Sequence, residues 1–205
     1  MKQPPSGESR MDRKKEETRQ KILAAAMQMF REQSFDAVSM ETIAETVDIA
    51  KGTLYNYFPV KEAILDEYIR RNFKDRTQAW VAKIRELPTT AARMETVFTD
   101  LLTGIQSQRV IFEKYTAYRM KQWMSFHQED HEKSGFQLIS AEIIHLGLAS
   151  GELRSDLPAQ MLEDLCEYVF MLTVKEFYLA SETFSTPQAI ERSINIFLNG
   201  TKTPK

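Results

Sequence analysis

One cysteine stands among 205 residues. Cys166 has no partner for an internal disulfide, which excludes a disulfide-stapled scaffold and fits a reducing, cytoplasmic setting. Glycine and proline are scarce, at seven each. Few breakers and no clear alternation of apolar and polar residues leave little room for a strand-and-turn protein. No apolar run approaches the roughly 18 residues of a membrane-spanning helix. The polar, charged start lacks the apolar core of a secretory signal, so no membrane is expected. Charge of one sign is missing as well: 27 Lys+Arg face 29 Asp+Glu, a net of −2. A broad basic field, the usual footprint of a duplex binder, is therefore absent. So are a glycine-rich phosphate loop, a Gly-x-Ser-x-Gly elbow and a defensible pair of catalytic carboxylates. The expectation is neither an enzyme nor a cofactor protein.

What remains is an ordinary globular composition, 42% hydrophobic and 27% charged, arranged with helical periods. The sequence predicts an all-α protein of about nine helices. Residues 1–11, with Pro4, Pro5, Ser6, Gly7 and Ser9, read as a disordered lead. From Asp12 to Gln33, Ile22, Ala26, Met29 and Phe30 fall on one helical stripe. Ser34–Val38 is a connector. Ser39 caps a short helix carrying Met40, Ile43, Ala44 and Val47. After a turn at Asp48-Ile49, a third short helix spans Ala50–Phe58 and stops at Pro59. Longer helices follow over Lys61–Leu87, Ala91–Ser107, Arg109 to about Phe126, Phe136–Ser150 and Pro158–Thr183. A last one starts with Thr186 as cap and Pro187 in its first turn, and closes at Gly200. The expected domains are residues 12–60 and 61–205.

Two short helices joined by a tight turn form a helix-turn-helix pattern. They are too short to stand alone and must pack on the first helix. Leu54 and Phe58, four apart, face that core. Lys51, Thr53, Tyr55 and Asn56 then point outward, a face suited to phosphates and base edges. Gly52 has no side chain to hold a ligand's backbone away. The charge also divides in this sense: residues 1–61 carry 10 Lys+Arg against 9 Asp+Glu, and residues 62–205 carry 17 against 20.

The segment Ser39-Met40-Glu41-Thr42-Ile43-Ala44, then Val47 through Ile64 with Lys51-Gly52-Thr53-Leu54-Tyr55-Asn56-Tyr57-Phe58 at its centre, resembles the DNA-binding domain of TetR-type transcriptional regulators. The close resemblance covers roughly residues 16–65. It implies an N-terminal three-helix DNA-binding domain and a C-terminal helical domain that binds a small-molecule inducer and forms a homodimer on a palindromic double-stranded operator. It implies a capping and phosphate role for Ser39, and base and backbone contacts for Lys51, Gly52 and Thr53. Tyr55 and Tyr57 would bond phosphates through their hydroxyls, beside Asn56. Lys61 would bind a phosphate at the start of the fourth helix. Asp48 stands where the family usually has glycine; aspartate tolerates left-handed geometry better than most residues. Repression is the family's commoner mode.

The C-terminal part is rich in aromatics and methionines at helical spacing. Most are ordinary core, yet such density also lines adaptable apolar pockets. Phe112, Tyr115, Arg119, Trp123, Tyr168, Met171 and Lys175 are the ligand-binding candidates, the cations for an inducer's anionic group. The helices Phe136–Ser150 and Pro158–Thr183 resemble the pair that family dimers use. His127 and His131, four apart, leave open a metal-responsive sensor, although Gln128 stands where a zinc protease has glutamate and a polar exposed stretch is the plainer reading. A helical interaction module without DNA binding is the other alternative.

Overall fold

The computed structural model describes residues 9–123, 134–180 and 182–201, without side chains at 74, 75, 122, 123 and 201. Among the described residues there are nine α-helices and no β-strand. They are α1 (Arg10–Glu32), α2 (Met40–Thr46), α3 (Lys51–Tyr57), α4 (Lys61–Arg85), α5 (Thr90–Ser107), α6 (Arg109–Trp123), α7 (Gly135–Ala149), α8 (Ala159–Leu179) and α9 (Thr186–Thr201). The chain forms two compact units: Met1–Ile69 with Lys114–Met124, and Arg70–Glu113 with Ser125–Lys205. Helices α4 and α6 thus each contribute to both units, where a single boundary after residue 60 was expected.

In the first unit α1 begins earlier than its apolar stripe suggests. Ser9 caps it, accepting from the backbone N–H groups of Met11 and Asp12, while the Asp12 carboxylate accepts from Ser9 N. This capping box satisfies donors that a helix start leaves open. Arg10 and Met11 are therefore helical rather than part of a lead; residues 1–8 of that lead lie outside the described residues. Ile22, Leu23, Ala26, Met27, Met29 and Phe30 are buried on α1. Met40, Ile43 and Ala44 of α2, Leu54 and Phe58 at α3, and Ile64, Leu65 and Ile69 of α4 are buried in the same unit. The connector contributes as well: Phe35 and Val38 are only 2% and 1% exposed, and the Phe35 ring lies 4.6 Å from that of Phe30.

The second unit has its own core, built from Ile84, Met94, Val97, Phe98, Leu102, Ile139, Ile143, Ile144, Leu162, Cys166, Phe170 and Val174 among others. At its centre the rings of Phe98 and Phe136 each pack within about 5 Å of Phe170, at 4.9 and 5.0 Å. Pro88 does stop α4 nearby. Arg93 of α5 then caps the freed carbonyls, donating to Ile84 O at 3.1 Å and Leu87 O at 2.7 Å. Helix α7 opens with a second capping box, Ser134–Gln137, and ends at Gly151, whose φ of +72° favours glycine. Helix α8 stops at Leu179, short of the expected Thr183. There the chain turns, Thr183 N donating to Ala180 O, and Phe184 folds back on Phe177 with rings 5.5 Å apart. Burial raises the Cys166 thiol pKa well above its ordinary value, with Glu167 and Glu163 adding to the shift; the thiol is a packing group.

Candidate nucleic-acid interface

Seven residues each is short for a helix, and α2 and α3 depend on anchors at both ends. Ser39 caps α2 by accepting from Thr42 N at 3.1 Å, and its hydroxyl also meets the Thr42 hydroxyl at 2.8 Å. Ile43 and Ala44 hold the underside of α2, Leu54 and Phe58 that of α3, at 0%, 3%, 0% and 2% exposure. Between the helices, Val47 N donates to Ile43 O, Asp48 N to Glu45 O and Ile49 N to Ala44 O. This turn needs one left-handed residue, and Asp48 supplies it with φ +55°. Aspartate thus fills a glycine position without opening the turn, because its short polar side chain tolerates that region.

With the underside fixed, the opposite face of α3 is set by helical geometry. Lys51, Gly52, Thr53, Tyr55 and Asn56 are all exposed. A Cβ added at Gly52 would meet nothing within 4 Å, so the chain's own packing does not require glycine there. Tyr57 is turned further in, and the Arg19 guanidinium lies 5.8 Å from its ring centre and 5.3 Å from that of Phe58. Arg19 is itself held by the buried Glu67 carboxylate of α4. This arrangement was not legible in the sequence, since Arg19 sits within a charged run and Glu67 on a separate helix.

Two lysines have partners that the sequence did not disclose. Lys51 forms an ion pair with Glu41 of α2 and lies 5.8 Å from the Tyr55 ring centre. Its hydrogen bond holds the Glu41 pKa below the ordinary carboxylate value and raises that of Lys51. The outward face is therefore not free of carboxylate once α2 is beside it. Lys61 turns toward the connector. Its ammonium donates to Phe35 O at 2.7 Å, Val38 O at 3.0 Å and Asp36 O at 3.5 Å, over the Phe35 ring. An ammonium has three donors, and three carbonyls use them. In this structure Lys61 forms a clasp on the α1–α2 connector.

The ligand-binding candidates are divided between the two units. Tyr115 and Arg119 fall in the first unit, where Arg119 pairs with Asp66 at 3.7 Å. In the second unit Phe112 packs against the core and Met171 is half-buried, but Tyr168 and Lys175 are exposed on α8. Leu162, Cys166, Val169, Phe170, Val174 and Phe177 already take that helix's inward face, and the 3.6-residue period turns Tyr168 and Lys175 the other way. The Trp123 side chain, His127 and His131 lie outside the described residues.

Residues 22–68 match the family model described as bacterial regulatory proteins, tetR family. The repressor KstR of Rhodococcus jostii is 40% identical over 58 residues, 28% of this chain and 27% of its own length. The chain thus spans about a quarter of that relative. The transcriptional regulator YdeS of Bacillus subtilis is 27% identical over 158 residues, 73% of this chain and 74% of its own. Among solved structures, a tetR family transcription regulator from Shewanella sp. PV-4 has a TM-score of 0.60 at 26% identity, covering 91% of this chain and 99% of that one. Thermus thermophilus FadR, a repressor crystallised with lauroyl-CoA, reaches 0.71 at 19% identity over 91% and 96%; that likeness concerns the fold. The matched segment runs from the second half of α1 through α2 and α3 into α4, and the likeness of fold runs on through the helical remainder. Over residues 22–68 the chain thus carries the N-terminal domain of the tetR family of bacterial regulatory proteins, and its helical remainder shares the fold of a tetR family transcription regulator.

Proposed function

We propose that the chain is a homodimeric repressor. In this reading α3 of each protomer enters the major groove of one half of a palindromic operator, and a small apolar or amphipathic inducer releases it. The observation that carries the reading is the outward face of α3. Lys51, Thr53, Tyr55 and Asn56 stand exposed on a helix that Leu54 and Phe58 fix from below. Lysine and asparagine donate to base edges, while threonine and tyrosine hydroxyls meet phosphates. Half-sites would lie about one helical turn apart, near 34–36 Å, or further as the dimer dictates. The inducer class is supported by the aromatic interior of the second unit and by Phe112 and Met171 beside it. It is consistent with fold neighbours crystallised with lauroyl-CoA and stearoyl-CoA. An inducer that binds better off DNA weakens DNA binding by the same factor.

A gel-shift or anisotropy titration tests the reading. Duplex sequences enriched from a random library by the wild-type chain serve as probe. Replacing Lys51 and Tyr55 together by alanine should cost at least about tenfold in affinity, since two placed contacts are lost. Wild-type affinity should fall as salt rises. A folded double variant that binds as tightly as wild type would remove α3 as the recognition helix.

A further inference from the structure

Between Met40 and Tyr57 the sequence holds one cation, Lys51, and three carboxylates, Glu41, Glu45 and Asp48. The exposed face of the helix-turn-helix is therefore poor in positive charge, and its one lysine is taken. Lys51 opens α3, Glu41 lies in the first turn of α2, and their ion pair bridges the two helices on the solvent side. Both side chains remain open to water, at 59% and 47% exposure. An exposed pair of this kind contributes little to folding and exchanges readily. Its effect falls on DNA instead.

A phosphate that approaches Lys51 meets the Glu41 carboxylate, a charge of its own sign, beside the ammonium. Arbitrary duplex offers mainly phosphates, so it meets that repulsion with little base contact to offset it. A base edge is different. Guanine O6 and N7 accept hydrogen bonds without carrying a full charge, so an ammonium can donate to them while Glu41 still neutralises it. We propose that Glu41 is a specificity-determining residue, screening Lys51 from phosphates so that α3 gains on its operator rather than on arbitrary duplex. This rests on α3 being the recognition helix.

The test is fluorescence anisotropy with the full chain on two duplexes of equal length. One is enriched from a random library by the wild type, and the other is its scramble. Glu41→Gln keeps the shape and removes the charge; a thermal melt checks the fold. The expected result is a several-fold gain on the scrambled duplex and a smaller gain on the enriched one, so selectivity falls. The salt slope on the scramble should steepen by about 0.9 per protomer, one more phosphate neutralised. In a Lys51→Ala background the Glu41→Gln effect should vanish. An equal gain on both duplexes, no gain on either, or an effect that persists without Lys51 overturns the proposal. So does a loss on the enriched duplex alone, which would make Glu41 a direct base contact. If the wild-type chain enriches no sequence at all, the operator-binding reading fails and the role of Glu41 fails with it.

Discussion

At Gly52 and Asp48 backbone and function can be separated by single substitutions. A methyl group at Gly52 meets nothing within the chain, and alanine is the better helix former by up to about 1 kcal/mol. Gly52→Ala should leave the urea unfolding midpoint unchanged or raised. It should still weaken operator binding, because the added carbon stands where another molecule's backbone would approach; equal affinity would show that nothing comes close there. Asp48 is the reverse case. Its φ of +55° costs a residue with an unhelpful Cβ about 1–2 kcal/mol. Asp48→Ala should destabilise the chain by about that amount in urea melts, and Asp48→Gly should not. The family's usual glycine and this aspartate are then two solutions to one dihedral angle, which is why the motif stays readable across the departure.

Helices were legible where their period and punctuation agreed. Met40, Ile43 and Ala44 mark the buried face of α2, and Leu54 and Phe58 that of α3, because short amphipathic segments have one way to hide their apolar residues. Pro59, Pro88 and Gly151 fix ends that periodicity leaves loose. Less was legible where one element's geometry depends on another's side chain. Ser9 with Asp12 three residues on is a capping-box signature within one element, hidden only by the Pro- and Ser-rich lead around it, whereas the turn after Ala180 depends on Phe184 meeting Phe177. The exposed side chains of α3 follow from the motif, but Glu41 beside Lys51 and the carbonyls around Lys61 are tertiary facts. Lys61 shows the consequence at this scale. Its ammonium holds the Phe35–Val38 connector, and hydrogen bonds to a charged group are worth about 1.5–3 kcal/mol. Lys61→Met keeps the stem over Phe35 and removes the donors. It should lower the unfolding free energy by about 1–2 kcal/mol while leaving the salt slope of DNA binding unchanged. A slope reduced by about one per protomer would restore a phosphate contact.

For the whole molecule, the net charge of −2 is no obstacle to DNA binding once binding rests on a few placed groups, each used twice in the proposed dimer. The proposed dimer has a physical motive in the second unit. On α8, Met161, Tyr168, Leu172 and Leu179 are 49%, 45%, 41% and 76% exposed, and Leu138 of α7 is 39% exposed. On α8 these residues fall at helical spacing on the face opposite Cys166 and Phe170, giving the single chain an apolar stripe in water. A run of such side chains on one side of a helix marks a surface that another protein covers. A two-fold partner would cover it with the same stripe. Leu172→Glu would place two like charges at the centre of that contact without touching either core. Sedimentation should then find a monomer with an unchanged helical circular dichroism spectrum. Operator affinity should collapse to that of one half-site, while binding to arbitrary duplex falls far less, since α3 is intact. A variant that sediments as a dimer would move the contact away from α7 and α8.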